Sequence, residues 1–322
     1  MRVIILGVGA VGGTMAAALA MAGKEVIGIA RGAQLDAIRA NGLTLHAPDG
    51  VHHAEFECVG SPSEIDFRPD DAIILTVKGQ HTEAALAQLV EAGVTTQPIF
   101  CAQNGVENER RALRLFPNVH GITVLLPADY MKPGEVAVFG APKYAIFDIG
   151  RFPGGVDEAD ENLCETLNRA NFVAFPSSEV MASKYGKLLM NLANISGAAL
   201  GEVEEAKVVR QALQAEGERV LTAAGINWMD VGANDPRRKG TLKIEDIPGM
   251  DRIGSSTTQS LARGAGSVET DFLNGEIAML GRMHGVPTPL NDWFCQLASR
   301  MVRDGIAPGS LDASAVLTEL DL

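Results

Sequence analysis

Gly7-Val8-Gly9-Ala10-Val11-Gly12 stands between two stretches that fix its meaning. Before it, Arg2-Val3-Ile4-Ile5-Leu6 is apolar and β-branched, the composition of a buried parallel strand. After it, residues 14–22 are helix-favouring, and Gly23 is placed to end that helix. Strand, glycine turn and helix together predict a phosphate cradle. In such a turn the first glycine permits the tight bend, the second lets backbone approach a pyrophosphate, and the third lets helix pack on strand. Phosphates would then meet the free N–H groups and positive dipole end of a helix. Gly7, Val8, Gly9, Ala10, Val11 and Gly12 are therefore the expected dinucleotide-binding residues.

The next strand, residues 25–30, ends on Arg31 rather than on Asp or Glu. An acid there would accept hydrogen bonds from the ribose 2′-OH of NAD, whereas a guanidinium pairs with the 2′-phosphate of NADP. Arg31 thus points to NADP(H).

Further along, strand patterns at 43–45, 53–59, 71–77, 98–102, 121–126, 135–139 and 173–176 alternate with helical ones at 33–40, 82–92, 107–115 and 157–170. That alternation predicts an α/β fold with a Rossmann-type doubly wound sheet over residues 1–177. Two of these strands stop abruptly at candidate site residues. Lys78 follows Thr76-Val77, and Asn104 lies in Gln103-Asn104-Gly105. Carboxyl ends of parallel strands are where ligands bind in open α/β sheets.

From Ser178 the strand patterns stop, and helices are expected at 180–200, 202–224, 255–262, 270–284 and 291–304. Residues 178–322 read as an all-helical C-terminal domain. In its first helix Lys184, Lys187, Asn191 and Asn194 recur at spacings of three, four and three, which places them on one face. Asn is a poor helix former, so two on one stripe suggest the polar wall of a cleft. A polar cluster follows at Ser255-Ser256-Thr257-Thr258-Gln259, and Glu269 precedes Thr270-Asp271-Phe272-Leu273-Asn274-Gly275. The charged stretch 234–252, holding Arg237, Arg238, Lys239 and Lys243, reads as a solvated surface loop, with a substrate-side lid as the alternative.

Composition narrows the partners. The chain has 322 residues, 46% of them hydrophobic, and a formal charge of −13, so nucleic acid and anionic membrane surfaces are not expected. Cys58, Cys101, Cys164 and Cys295 are scattered without a C-x-x-C pair, which suggests reduced, buried thiols in a cytoplasmic protein. No apolar run reaches the length of a membrane span, and no metal is expected. Assembly as monomer or homodimer stays open.

Taken in order, these pieces resemble the ketopantoate reductase (2-dehydropantoate 2-reductase) family over nearly the whole chain. The matching motifs are Gly7-x-Gly9-x-x-Gly12, Arg31, Thr76-Val77-Lys78, Gln103-Asn104-Gly105 and Lys187-Leu188-x-x-Asn191. Ser255-Ser256-x-x-Gln259, Glu269-x-Asp271-x-x-Asn274-Gly275 and His284-Gly285-Val286-Pro287-x-Pro289 follow. The resemblance implies NADPH-dependent reduction of a ketone on a small 2-oxo acid, ketopantoate, to pantoate. It makes Lys187 the general acid and gives Glu269 the tasks of binding the substrate hydroxyl, holding Lys187 and contacting the cofactor. Asn191 and Ser256 would bind the substrate's hydroxyl and carboxylate, with Asn194 the nearest further amide. Lys78 and Asn104 would position nicotinamide, ribose or the reacting carbonyl, Asn104 thus serving both cofactor and substrate. A lysine acts as such an acid when desolvation or a neighbouring cation draws its pKa towards neutrality. The chain departs from the family's form at Ile195, where an Asn is common, and at Tyr185-Gly186, where a Trp is common. Those departures touch the substrate wall, so a different small 2-oxo acid is the first alternative. A catalytically silent NADP(H)-binding sensor is the second.

Overall fold

The computed structural model describes residues 1–201 and 203–322. It divides into two compact units, Met1–Ser183 with Ala233–Arg252, and Lys184–Gly232 with Ile253–Leu322. That division differs from a single boundary after Ser177.

The first unit runs β1 (Val3–Leu6), α1 (Ala10–Met21), β2 (Val26–Ile29), α2 (Gly32–Asn41), β3 (Leu43–Ala47), β4 (Gly50–Ala54), β5 (Glu57–Val59) and β6 (Ala72–Leu75). It continues α3 (Thr82–Glu91), β7 (Ile99–Cys101), α4 (Asn108–Leu113), β8 (Val119–Leu125), β9 (Ala128–Lys132), β10 (Glu135–Val138), β11 (Gly140–Pro142), β12 (Ile146–Arg151), α5 (Glu158–Asn168) and β13 (Val173–Pro176). Eight strands form the main sheet in the order β13-β12-β8-β7-β6-β1-β2-β5. Every pair in it is parallel except β12 with β8. The chain builds outward from β1 through β2 to β5, then resumes on the other side at β6. The switch point therefore falls between β1 and β6, where such sheets bind ligands. Val3, Ile5, Ile74 and Phe100 pack on one face with α1 and α5, and Ile4, Leu6, Ile73 and Leu75 on the other with α3 and α4.

Three stretches expected in that sheet belong elsewhere. Residues 43–45, the start of 53–59, and 135–139 fall in β3, β4 and β10, which join β9 in a second sheet of order β4-β3-β10-β9. Only β5 returns to the main sheet. The cause lies in α1, whose residues from Gly12 to Leu19 are all buried. A helix apolar all round must be covered on every side. The second sheet supplies that cover: a Cβ on Gly13 would lie 3.0 Å from a methyl of Val136.

Residues 233–252 are not a solvated loop. They hold β14 (Leu242–Ile244), which pairs antiparallel with β11, and Leu242 and Ile247 are buried. Arg237 hydrogen-bonds both Asp235 and the buried Asp148, and its guanidinium stands 5.5 Å over the Phe175 ring. Burial pushes the Asp235 carboxyl up, but the Arg237 hydrogen bonds outweigh it and hold the group below its usual range. Asp157 is likewise held low, by Arg151 and His120 against its burial. A depressed folded pKa contributes stability above the unfolded value and loses it as pH falls through the folded one. The thermal midpoint should therefore drop as pH falls below about 4. In Arg237→Ala that acid-dependent part of the drop should shrink; an unchanged acid limb would remove Asp235 from the account.

The second unit is helical: α6 (Val180–Asn191, from Lys184 on), α7 (Ala193–Leu200), α8 (Glu204–Ala223), α9 (Ser256–Ala262), α10 (Asn274–His284), α11 (Pro289–Asp304) and α12 (Ala313–Leu320). The helix expected over 202–224 begins on Glu202, which lies outside the described residues. The helix expected over 180–200 is interrupted at Leu192. The Leu192 carbonyl accepts a hydrogen bond from Asn274 Nδ2, and a side chain reaching into the helical ladder is a known cause of such breaks. Cys58, Cys101 and Cys164 are buried and all four cysteines are free thiols. Burial pushes Cys58 up to about 11 and Cys164 and Cys295 to about 12, which keeps them protonated at neutral pH. Among the described residues no helix is long and apolar enough to cross a membrane.

Candidate active site

In the first unit the sequence-predicted residues gather at the carboxyl edge of four adjacent strands. Gly7 follows β1, Arg31 follows β2, Lys78 follows β6 and Asn104 follows β7. Gly7 has φ +113°, and a Cβ there would meet the Val77 nitrogen at 2.8 Å. At Gly12 a Cβ would lie 2.2 Å from the Gly7 carbonyl oxygen and 2.4 Å from Thr76 Oγ1, so helix and strand touch through that glycine. Gly9 is different: nothing lies within 4 Å of a Cβ built on it. Open space there suits an approaching pyrophosphate. The N-terminus of α1 has no side-chain cap and no acid in its first turn, which leaves it fit for an anion.

Side chains outside the motif hold the loop. Thr76 Oγ1 donates to the Gly7 carbonyl at 2.7 Å, and Gln34 Nε2 to the Val8 carbonyl at 2.9 Å. Gln103 Nε2 donates to the Val77 carbonyl (2.9 Å) and to Thr82 Oγ1 (2.7 Å), and Thr82 in turn donates to Asn108 Oδ1 at 2.8 Å. That buried chain ties the Lys78 loop to the Asn104 loop. Sequence reasoning quoted Gln103 only as part of a motif and missed Gln34 and Thr82. Gln34 lies within α2 and Thr82 opens α3, so neither carried a sequence signal of this role. Arg31 is exposed and makes no ion pair with any described residue.

In the second unit the candidates converge through their neighbours on the α6–α7 break. Lys187, half-buried, lies one turn before Asn191, and Asn191 ends α6 beside Leu192. Ser255 Oγ donates to the Asn194 carbonyl at 3.2 Å, which brings the start of α9, and so Ser256, to the start of α7. Asn274 Nδ2 donates to the Leu192 carbonyl at 3.1 Å, which brings in the short 3-10 turn Glu269–Phe272 just before it. Glu269 is buried, and so is Asn191, whose Nδ2 donates to no described residue. A buried amide donor left in this way costs about 1–3 kcal/mol unless something accepts from it. Asn194, beyond the break, is half-buried rather than on a continuous stripe with Asn191.

Among the described residues one cluster has metal-ligand chemistry: His120, Asp157 and Asp160, in the first unit. Its carboxylate oxygens already accept from His120 Nδ1, Arg151 and the main-chain N–H groups of Asp157, Ala159 and Asp160. These bonds close the N-terminus of α5 and fasten it to β8.

A glycine-loop cradle together with a helical unit that bears a lysine, a carboxylate acceptor and amide groups is an arrangement that suits an oxidoreductase. Residues 3–154 match the family model described as ketopantoate reductase PanE/ApbA, and residues 179–302 match its C-terminal counterpart. The chain belongs to the ketopantoate reductase family. A curated 2-dehydropantoate 2-reductase of Archaeoglobus fulgidus is 29% identical over 317 residues, covering 95% of this chain and 99% of that one. Its counterpart in Pyrococcus horikoshii is 27% identical over 318 residues, covering 96% and 100%. The crystal structure of a PanE/ApbA family ketopantoate reductase from Ralstonia eutropha superposes with a TM-score of 0.78 at 28% identity, covering 95% and 99%.

Proposed function

We propose that the protein reduces 2-dehydropantoate to pantoate with NADPH. The observation that carries this reading is the buried Asn191 Nδ2, which donates to no described residue, at the α6–α7 break that Ser255 and Asn274, neighbours of Ser256 and Glu269, reach by hydrogen bonds. The names of the curated relatives support the substrate. The exposed guanidinium of Arg31, at the end of β2, supports a 2′-phosphate.

The cofactor would supply the hydride when bound; the protein's own residues orient and move the proton. Lys187 Nζ donates a proton to the carbonyl oxygen as negative charge develops there, the role of a positioned general acid. Asn191 and Ser256 hold the substrate's hydroxyl and carboxylate, and the Glu269 carboxylate accepts from the hydroxyl and steadies the ammonium. The glycine loop holds pyrophosphate, and Lys78 and Asn104 set the nicotinamide end.

NADPH oxidation followed by absorbance with ketopantoate, beside a panel of 2-oxo acids and with NADH as control, tests the reading. Efficient NADPH-selective turnover of ketopantoate is expected. Selective turnover of another 2-oxo acid would reassign the substrate and keep the chemistry. Arg31→Ala should weaken NADPH binding about 10-fold, the scale of one charge-assisted hydrogen bond, and leave NADH binding unchanged. Equal loss for both cofactors would remove Arg31 from 2′-phosphate recognition.

A further inference from the structure

The interruption at Leu192 has a specific cause, and it lies just after the 3-10 turn that carries Glu269. Asn274 opens α10 and is 1% exposed. Its Nδ2 donates to the Leu192 carbonyl at 3.1 Å and to Asn291 Oδ1 at 3.0 Å. Asn291 Nδ2 passes the chain on to Glu216 Oε1 at 2.8 Å. Glu216 also accepts the main-chain N–H groups of Leu290 (3.2 Å) and Asn291 (2.9 Å), so it closes the N-terminus of α11 from a distance. Two tasks are thus separated along one buried chain. Glu216 holds α11, and Asn274 holds the α6–α7 break.

We infer that Asn274 is a positioning residue for the proposed reaction: by holding the Leu192 carbonyl it sets where α6 ends, and with it the aim of Asn191 and, one turn earlier, Lys187. The inference rests on the roles given to Lys187 and Asn191 above. Its chemistry is that of a donor between two acceptors. Alanine at 274 would leave the Leu192 carbonyl without its amide, free to rejoin an unbroken helical ladder. Aspartate at 274 would set an acceptor against two acceptor oxygens.

Asn274→Ala, Asn274→Asp and Glu216→Gln in the full chain test this. The readouts are kcat, KM for ketopantoate, NADPH affinity, thermal midpoint, and hydrogen exchange across residues 192–197. Asn274→Ala should lower kcat/KM roughly 10–100-fold, the scale of a small misplacement of catalytic groups. NADPH affinity should stay at the parental value, and exchange protection across 192–197 should rise as the ladder closes. Asn274→Asp should lose at least as much. Glu216→Gln should lower the thermal midpoint and keep the parental kcat/KM and exchange pattern. Parental kcat/KM in Asn274→Ala would overturn the assignment. So would an equal loss in Glu216→Gln, which would mark the whole chain as structural. If the parent does not reduce ketopantoate, the proposed function fails on its own. The exchange data then decide the assignment, and unaltered protection across 192–197 in Asn274→Ala overturns it.

Discussion

Lys187→Ala should lower kcat by about 10²–10⁴-fold, the range a positioned general acid contributes. NADPH binding should change little, because the glycine loop, Arg31, Lys78 and Asn104 all belong to the first unit and Lys187 to the second. Lys187 is half-buried on α6, one turn from the buried Asn191. In the proposed role its loss removes the proton donor and leaves the glycine loop intact. The signature is a fall in kcat and kcat/KM together, since the interaction strengthens only in the transition state. Unchanged turnover would take Lys187 out of the chemistry. A parent that binds NADPH but turns over no 2-oxo acid would favour a silent sensor.

The second large effect is expected at the neighbouring residue. A Cβ on Gly186 would lie 1.7 Å from the Met229 carbonyl oxygen and 2.8 Å from its carbon. Both are main-chain atoms and cannot swing aside as a side-chain tip would. On propensity alone Gly186→Ala would stabilise α6 by about 1 kcal/mol. The clash reverses the sign, because overpacking of this depth costs about 3 kcal/mol or more. Gly186→Ala should therefore lower the thermal midpoint by several degrees and also depress kcat, since the displaced helix carries Lys187. Calorimetry and the ketopantoate assay read the two effects separately. A midpoint at or above the parental one would show that α6 does not rest on the Met229 carbonyl.

Much of the fold was legible because its signals are local. The glycine loop, the β-branched strands and the helix-forming runs each declare themselves within a dozen residues. The second sheet was not legible as a sheet. β3, β4 and β10 overlap expected strands while β9 matches none, and β10 pairs with β3 across some ninety residues, with nothing in either segment naming its partner. β12 escaped notice for a related reason. Asp148 interrupts an apolar run and is buried only because Arg237 supplies its counter-charge from far along the chain. The stretch around Arg237 in turn looked like a solvated loop, because its charges are paired at a distance. At the site, the proposed reactive residues were chosen by type and position. Those that hold them, Gln34, Thr82 and Asn274, could not be, because each acts through a main-chain carbonyl or a side chain that only the fold brings near.

Because residues 233–252 return to the dinucleotide unit, no single cut in the gene separates the two halves. A fragment ending at Ser183 would keep Asp148, 2% exposed, while losing Arg237, and would keep β11 while losing β14. Such a fragment carries a buried unpaired carboxylate and an uncovered strand edge, and both favour misfolding and aggregation. Grafting a relative's helical half onto this chain therefore requires two inserts, 184–232 and 253–322, with the intervening strap kept from the host. Modular exchange, in the laboratory or in evolution, has to proceed here by paired replacement.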